Sequence, residues 1–213
     1  MSDIIIVVTG AHDIKSANTT LLRERYIEYM IALHKVFSYG KPVYGVLSEY
    51  NEKQVNIPPF DGFTITKLLK LVDTDLTHYN TKSQKESYSI NLLIKDIDIN
   101  DDTFVIKVSG RYVIIKDTFY NTVESLKTNM NVNGIICITE GVYPLQQYTF
   151  LYALRWKWFK KFYSESISNL EGHCVERFIV EFFEKENIIG SIVNVSKLDI
   201  LTNINSENKF ELY

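Results

Sequence analysis

The first fifty residues carry the strongest constraint on the fold. Ile4-Ile5-Ile6-Val7-Val8 is an unbroken β-branched run that stops at Thr9-Gly10. Branched side chains favour strands, and a run without polar alternation suits a strand covered on both faces, as in a parallel sheet. After a polar stretch, Leu22, Tyr26, Tyr29, Met30, Leu33 and Phe37 recur at helical spacing, with Thr19 or Thr20 placed to cap the helix. Gly40-Lys41-Pro42 ends it, and Val43-Tyr44-Gly45-Val46-Leu47 reads as a second strand running into Ser48-Glu49-Tyr50. Strand, helix, strand predicts two parallel strands joined by a right-handed crossover.

The alternation continues less regularly. Pro58-Pro59 marks a loop, and Phe63 to Leu69 reads as a short third strand. Ser83 and Glu86 fit a capping box before a helix whose apolar stripe is Ile90, Leu93, Ile94 and Ile97. Thr103 to Val108 is the clearest strand and runs into Ser109-Gly110-Arg111-Tyr112. Phe119, Val123, Leu126 and Met130 predict a helix, Ile135 to Ile138 a strand, and Gln146 to Tyr163 an aromatic-rich helix. Val175, Phe178, Ile179, Phe182 and Phe183 form one more stripe, with a late strand near Ile188 to Val195 and no evident element in the last six residues. No repeat or linker divides the chain, so one domain over 1–213 is expected, possible as the N-terminal part of a longer chain.

Composition narrows the classes. With 46% hydrophobic and 23% charged residues the chain is globular, and its net charge of −3 argues against a general nucleic-acid binder, whose affinity comes from clustered Lys and Arg. Cys137 and Cys174 form no zinc pattern or disulfide framework and fit a reducing compartment. The early apolar run is too short for a signal peptide and no segment is long enough for a membrane span, so a cytoplasmic protein is expected. Motifs exclude more. There is no GxGxxG, and Gly40 and Gly45 have P-loop spacing but are followed by Val46-Leu47 instead of Lys and Ser or Thr. No G-x-S-x-G elbow occurs, and the four histidines show no metalloprotease spacing.

In α/β folds ligands sit at the carboxyl ends of the strands, so the polar residues there are the candidates. Thr9-Gly10 would let a ligand ring approach the backbone; the alternative is an ordinary strand-to-loop glycine. Ser48-Glu49 would hold a base or ribose hydroxyl; the alternative is a solvated loop acid. Lys82 and Lys85 stand at a helix start, where cations are slightly unfavourable and a diphosphate would gain from free N–H groups. Arg111, closing a buried strand, is costly unless it meets an anion, either a phosphate or a structural carboxylate.

These pieces together resemble a family of small GT-A-type glycosyltransferases. Its pattern is a first strand ending in Thr, R-x-x-E-Y on the first helix, a second strand ending near Glu, a polar loop before the next helix and a K-[IVL]-[ST]-G-R-Y strand. Here these are Thr9, Arg25-Tyr26-Ile27-Glu28-Tyr29, Ser48-Glu49, Asn80-Thr81-Lys82 and Lys107-Val108-Ser109-Gly110-Arg111-Tyr112. The match covers about residues 4–115, and its last motif is the most specific. The whole chain also resembles the N-terminal glycosyltransferase domain of a multidomain chlorella-virus protein, from viruses that glycosylate their own capsid protein. The resemblance implies a GT-A, Rossmann-like α/β fold with a mostly parallel central sheet flanked by helices, a UDP-sugar donor, a glycan acceptor and often Mn²⁺, in the host cytoplasm if viral.

One departure stands out. Where many such enzymes end a strand in D-x-D, this chain has Ser109-Gly110-Arg111, so either Arg111 replaces the metal's charge or Asp73-Thr74-Asp75 is a displaced site for Mn²⁺ or Mg²⁺. Residues 1–115 are then expected to bind the nucleotide and 116–213 the acceptor. Arg111 and Lys82 would stabilise the leaving diphosphate, with Thr9, Gly10, Arg25, Glu49 and Ser109 around the nucleotide and Glu176 as the acceptor's base. Tyr148, Tyr152, Trp156 and Phe159 would stack on sugar or, more simply, pack a core. The competing classes are a nucleotidyltransferase or methyltransferase and a non-catalytic carbohydrate-binding module.

Overall fold

A computed structural model describes residues 3–11, 19–50, 60, 62–72, 76–79, 81–138, 148–169, 174–204 and 209–212. Strand β1 (Ile4–Ala11) lies in the middle of a seven-stranded sheet. It pairs in parallel with β2 (Val43–Tyr50) on one side and β4 (Phe104–Ser109) on the other, and β3 (Lys67–Val72) extends the sheet beyond β2. The sheet continues from β4 through β7 (Leu151–Arg155) and β6 (Gly134–Ile136) to β8 (Ile192–Asn194), and β7 alone runs against its neighbours. This is the mostly parallel α/β sheet that the sequence implies.

Both faces of β1 are covered, which is why its run has no polar alternation. Ile4, Ile6 and Val8 pack with Leu33 and Val36 of α1 (Thr19–Ser38) and Phe119 and Val123 of α3 (Thr118–Leu126). Ile5 and Val7 pack on the other face with α2 (Lys82–Ile94), α4 (Trp156–Asn169) and α5 (Val175–Lys185). The result is a helix–sheet–helix sandwich. A three-stranded sheet, β10 (Lys209–Leu212), β9 (Ile200–Ile204) and β5 (Val113–Ile114), is attached to the α3 face. Among the described residues no helix is long and apolar enough to cross a membrane.

Several sequence expectations shift. The expected helix over 146–163 is instead β7 followed by α4: Leu151–Arg155 is buried at all five positions, so as a central strand it shows no alternation to distinguish it from helix. Tyr152, Trp156 and Phe159 are buried in the core, as the packing reading has it. The cap of α2 is Thr81, whose hydroxyl accepts from the Gln84 N–H at 3.1 Å while Gln84 reaches back to the Thr81 N–H. Ser83-x-x-Glu86 fits the same pattern two residues on, but Glu86 is bonded elsewhere. The third strand starts later than expected, Thr19 and Thr20 lie inside α1, and β9–β10 occupy a stretch where no element was expected.

Arg155 fastens the lower edge of the sheet. Its side chain is buried over the Phe104 ring, 4.2 Å from the centroid, and donates to the carbonyls of Val132, Lys127, Asn129 and Asp102. Four backbone acceptors from two loops depend on it, the Val132 carbonyl in a buried bond and the other three in partly buried ones. Arg155→Ala should therefore cost about 3 kcal/mol or more in urea titrations, because orphaned buried acceptors each cost about 1–3 kcal/mol; a loss below about 1 kcal/mol would mean that water replaces the guanidinium. A second anchor is Asp199, buried at positive φ (50°), whose carboxylate accepts from the Thr118 hydroxyl at 2.9 Å and faces Lys116 and Lys197. The Thr118 bond first, then the two lysines, holds its carboxyl below the usual range. A lowered folded pKa adds stability above the unfolded value and loses it as pH falls through the folded one. The stability gap between wild type and Asp199→Asn should thus be largest near neutral pH and shrink on acidification to about pH 3; a gap independent of pH would show that the charge is not what stabilises.

Candidate functional site

The winding of the sheet opens a crevice between two particular strands. From β1 the chain crosses over to β2 by α1 on one face; from β3 it crosses back to β4 by α2 on the other. The strand order therefore reverses between β1 and β4, and at such a switch point the helices diverge at the strands' carboxyl ends, where α/β proteins bind ligands. The residues at this rim are Thr9 and Gly10 from β1 and Ser109, Gly110 and Arg111 from β4, with Thr9 opposite Ser109 in register.

The α1 wall is Tyr29. A Cβ on Gly10 would meet its ring carbon and hydroxyl at 3.0 Å, and one on Gly110 would meet the ring at 2.9 Å and the Thr9 carbonyl at 3.1 Å. Both glycines are thus required by a ring, but on this side the ring belongs to the protein. The Gly110 N–H donates to the Thr9 carbonyl at 2.7 Å and closes the two strand ends together. On the β2 side Ser48 donates to the Gly10 carbonyl at 3.1 Å.

The α2 wall is Glu86, in the second turn of the helix. Its Oε1 accepts from the Thr9 hydroxyl at 2.7 Å and from the Lys107 ammonium at 2.7 Å. Lys107 has only 2% of its side chain exposed, and it also donates to the Ser109 hydroxyl and the Thr149 carbonyl, each at 2.9 Å. An ammonium has three protons, and here three acceptors take them. The same network continues outward: the Thr149 hydroxyl donates to Glu176 Oε1 at 3.0 Å, bringing the first turn of α5 to the rim. Beneath it the hydroxyls of Tyr152 and Tyr163 share a hydrogen bond, and burial, with the nearby Glu86 carboxylate adding to it, pushes both phenols well above their usual range. They stay neutral and act as packing.

Two cations remain uncommitted. Arg111 is half-buried, lies 5.1 Å over the Tyr112 ring and donates to the Tyr112 hydroxyl at 3.3 Å; among the described residues it has no carboxylate partner. The structural Arg–carboxylate pair is therefore not what these residues form. Lys82 is the first residue of α2, exposed, and likewise without an ion pair among the described residues. The structure brings together Thr9, Gly10, Ser109 and Arg111, with Lys82 on the α2 side and Glu176 joined through Thr149. Arg25 and Glu49 stand on α1 and at the end of β2, but their side chains, together with Asp73, Asp75 and His173, lie outside the described residues. Sequence reading missed Glu86 and Thr149 as site groups and quoted Lys107 only as part of a motif. The signal for Lys107 was available: a lysine inside an otherwise apolar strand requires a buried anion.

Among the described residues no three His, Cys, Asp or Glu side chains gather as a metal site, and β4 runs into the Arg111 guanidinium; Asp73 and Asp75 lie outside those residues.

Comparison with known proteins places the fold. No family model and no curated protein matches the chain. Among solved structures it is similar to the 4-diphosphocytidyl-2C-methyl-D-erythritol synthase of Anaerococcus prevotii, with a TM-score of 0.57 and 13% identity over 91% of this chain and 88% of that one. It is similar also to the 2-C-methyl-D-erythritol 4-phosphate cytidylyltransferase of Francisella tularensis, with a TM-score of 0.52 and 12% identity over 91% and 90% of the two chains. A glycosyltransferase involved in glycosylation of the major capsid of PBCV-1 matches at a TM-score of 0.47 and 12% identity, over 89% of this chain and 81% of that one, a likeness too slight to carry an argument. The class that this defines is one of fold: a Rossmann-like α/β architecture, shared with these cytidylyltransferase structures and in line with what the sequence resemblance implies.

The Lys107 pair gives a direct test of the site's construction. Lys107→Met should destabilise the protein by about 3 kcal/mol, at the lower end for breaking a buried pair because Glu86 is partly exposed. Chemical denaturation measures it, and a near-neutral result would show that the ammonium does not hold the strand ends.

Proposed function

We propose that the chain is a glycosyltransferase that moves a hexose or deoxyhexose from a UDP-sugar to a glycan acceptor. The observation that carries the reading is the Arg111 guanidinium, uncommitted to any described carboxylate at the mouth of the β1–β4 crevice. A half-buried cation in that position lacks only an anion, and a diphosphate offers paired oxygens that match the guanidinium fork. The fold supports a nucleotide, and the resemblance of the K-V-S-G-R-Y strand supports uridine and a sugar, with a viral capsid glycan as the acceptor.

In this reaction the bond between the sugar C1 and the diphosphate oxygen breaks, and its electron pair stays on UDP. The acceptor oxygen bonds to C1, and its proton passes to a carboxylate. Charge grows on the departing diphosphate, so cations fixed there are the main catalytic contribution. Arg111 and Lys82 take that role, the latter helped by the free N–H groups at the start of α2. Glu176, held by Thr149 and without an ion-pair partner among the described residues, takes the proton. Thr9, Gly10, Ser109, Arg25 and Glu49 surround the nucleotide. Asp73 and Asp75 stay as the proposed place for Mn²⁺ or Mg²⁺, and no step is assigned to an ion there.

Calorimetry with UDP, GDP, CMP and S-adenosylmethionine tests the ligand class, and UDP alone should bind well. Arg111→Ala should lower turnover of the UDP-sugar by about 100-fold, the usual effect of removing one donor to a developing anion, with the melting temperature kept. Full turnover in this variant would overturn the assignment, and a melted variant would return Arg111 to a structural role. A second reading, nucleotidyl transfer, is favoured by the likeness, at TM-scores above 0.5, to cytidylyltransferases such as the two named above. It predicts binding of CTP and release of pyrophosphate in the presence of a phosphorylated polyol.

A further inference from the structure

Lys107 is the lysine of the most specific motif in the chain, and it has no hydrogen-bonding capacity left for a ligand. Glu86 Oε1, Ser109 Oγ and the Thr149 carbonyl take its three protons, and it is buried. It touches no phosphate; it is a positioning residue. What it positions is Glu86. The Glu86 Oε1 atom is clamped from two sides, by Lys107 and by the Thr9 hydroxyl, each at 2.7 Å. Two bonds on one oxygen fix the plane of the carboxylate, and with it the place of Oε2. That second oxygen has no partner among the described residues, and the side chain is 31% exposed, on the α2 wall of the crevice.

We propose that Glu86 is the residue that reads a hydroxyl group of the donor, accepting its proton at Oε2. This rests on the nucleotide-sugar reading above and adds a specificity residue to it. An ionised oxygen accepts hydroxyl donors strongly, whereas a phosphate oxygen, also anionic, is repelled. The buried ammonium has a second effect. It cancels the carboxylate's charge, so that a diphosphate bound nearby at Arg111 meets a neutral pair instead of a bare anion. The crevice thereby separates two tasks: the cationic lip holds phosphate, and the clamped carboxylate selects a hydroxylated partner. The hydroxyl comes either from the ribose or from the transferred sugar, and both present the same chemistry to Oε2.

The test measures binding of UDP, 2′-deoxy-UDP, 3′-deoxy-UDP and UDP-glucose to wild type and Glu86→Gln by calorimetry. Glutamine keeps an acceptor for Thr9 and Lys107 but puts a neutral amide where Oε2 stands. If the ribose is read, Glu86→Gln should weaken UDP about tenfold, since bonds to charged groups exceed neutral ones by roughly that factor, and one deoxynucleotide should lose nothing further from the substitution. If the sugar is read, UDP should be unaffected and UDP-glucose weakened about tenfold. Glu86→Asp is the second variant: it keeps the negative charge but draws the whole carboxylate back by one methylene, away from the ligand hydroxyl as well as from Thr9 and Lys107, and should show the same discrimination between hydroxyl and deoxy ligands. A variant that only loosened the fold would weaken all four ligands alike. Equal weakening of all four, or no weakening of any, overturns the role of Glu86 while leaving the nucleotide-sugar reading intact. If wild type binds none of them, that reading falls too.

Discussion

The structure depends on burying a lysine in its sheet against a carboxylate. Lys107 stands on β4, between parallel β1 and antiparallel β7 and bonded to Glu86 of α2, beyond the reach of water, and every one of its donors is matched. Such a group is tolerated only if its surroundings are assembled to meet it, because a stranded buried charge costs several kcal/mol, about as much as a small domain can lose. Meeting it brings together Glu86 from α2, Ser109 from β4 and the backbone at Thr149, and Glu86 in turn takes the Thr9 hydroxyl at the end of β1. Four separate stretches of chain are therefore held in one arrangement by one polar cluster. Apolar packing around it supplies the bulk of the burial but is less particular about register.

The crevice follows from topology and the cluster together. Reversal of strand order opens a gap between helices, and an open gap alone would be a wide, shapeless slot. Glycines at the ends of β1 and β4 let Tyr29 press close from one side, while Glu86 closes from the other. Arg111 then projects from a rim whose neighbours are already satisfied, which is why it has no competing carboxylate nearby among the described residues. The electrostatic character of the rim results from which groups are used up inside and which are left over.

Much of this was legible in the sequence, and for identifiable reasons. The apolar run at Ile4–Val8 states a doubly covered strand directly, and the first strand–helix–strand unit follows from it. Arg111 stands out because a strand ending in a guanidinium is expensive. The middle of the second half was less legible: Leu151–Arg155, covered on both faces, has no alternation, and the helical spacing of Tyr148, Tyr152, Trp156 and Phe159 imitates a helix. Glu86 was assigned to a cap because local patterns are visible in sequence while a partner twenty-one positions away, such as Lys107, is not. The small sheet pairs β9 with its chain neighbour β10 and with β5, some way back along the chain, and the latter pairing leaves no local trace.

The one strand of the seven-stranded sheet that runs against its neighbours, β7, has a consequence for how the molecule is made. During synthesis the ribosome delivers β1 to β4 in an order that lets each add to its predecessors, but the strand that must lie against β4 is β7, which emerges only after β6. Until then β4 presents a bare backbone edge, and β6 has no β7 to join it to the rest of the sheet. Nascent chains paused in that interval would expose an unsatisfied hydrogen-bonding border, the surface that trigger-type chaperones shield and that sticks to other nascent chains when unshielded. Arrival of Arg155 ends the interval, since the guanidinium ties the newly inserted strand to loops on both sides of the seam.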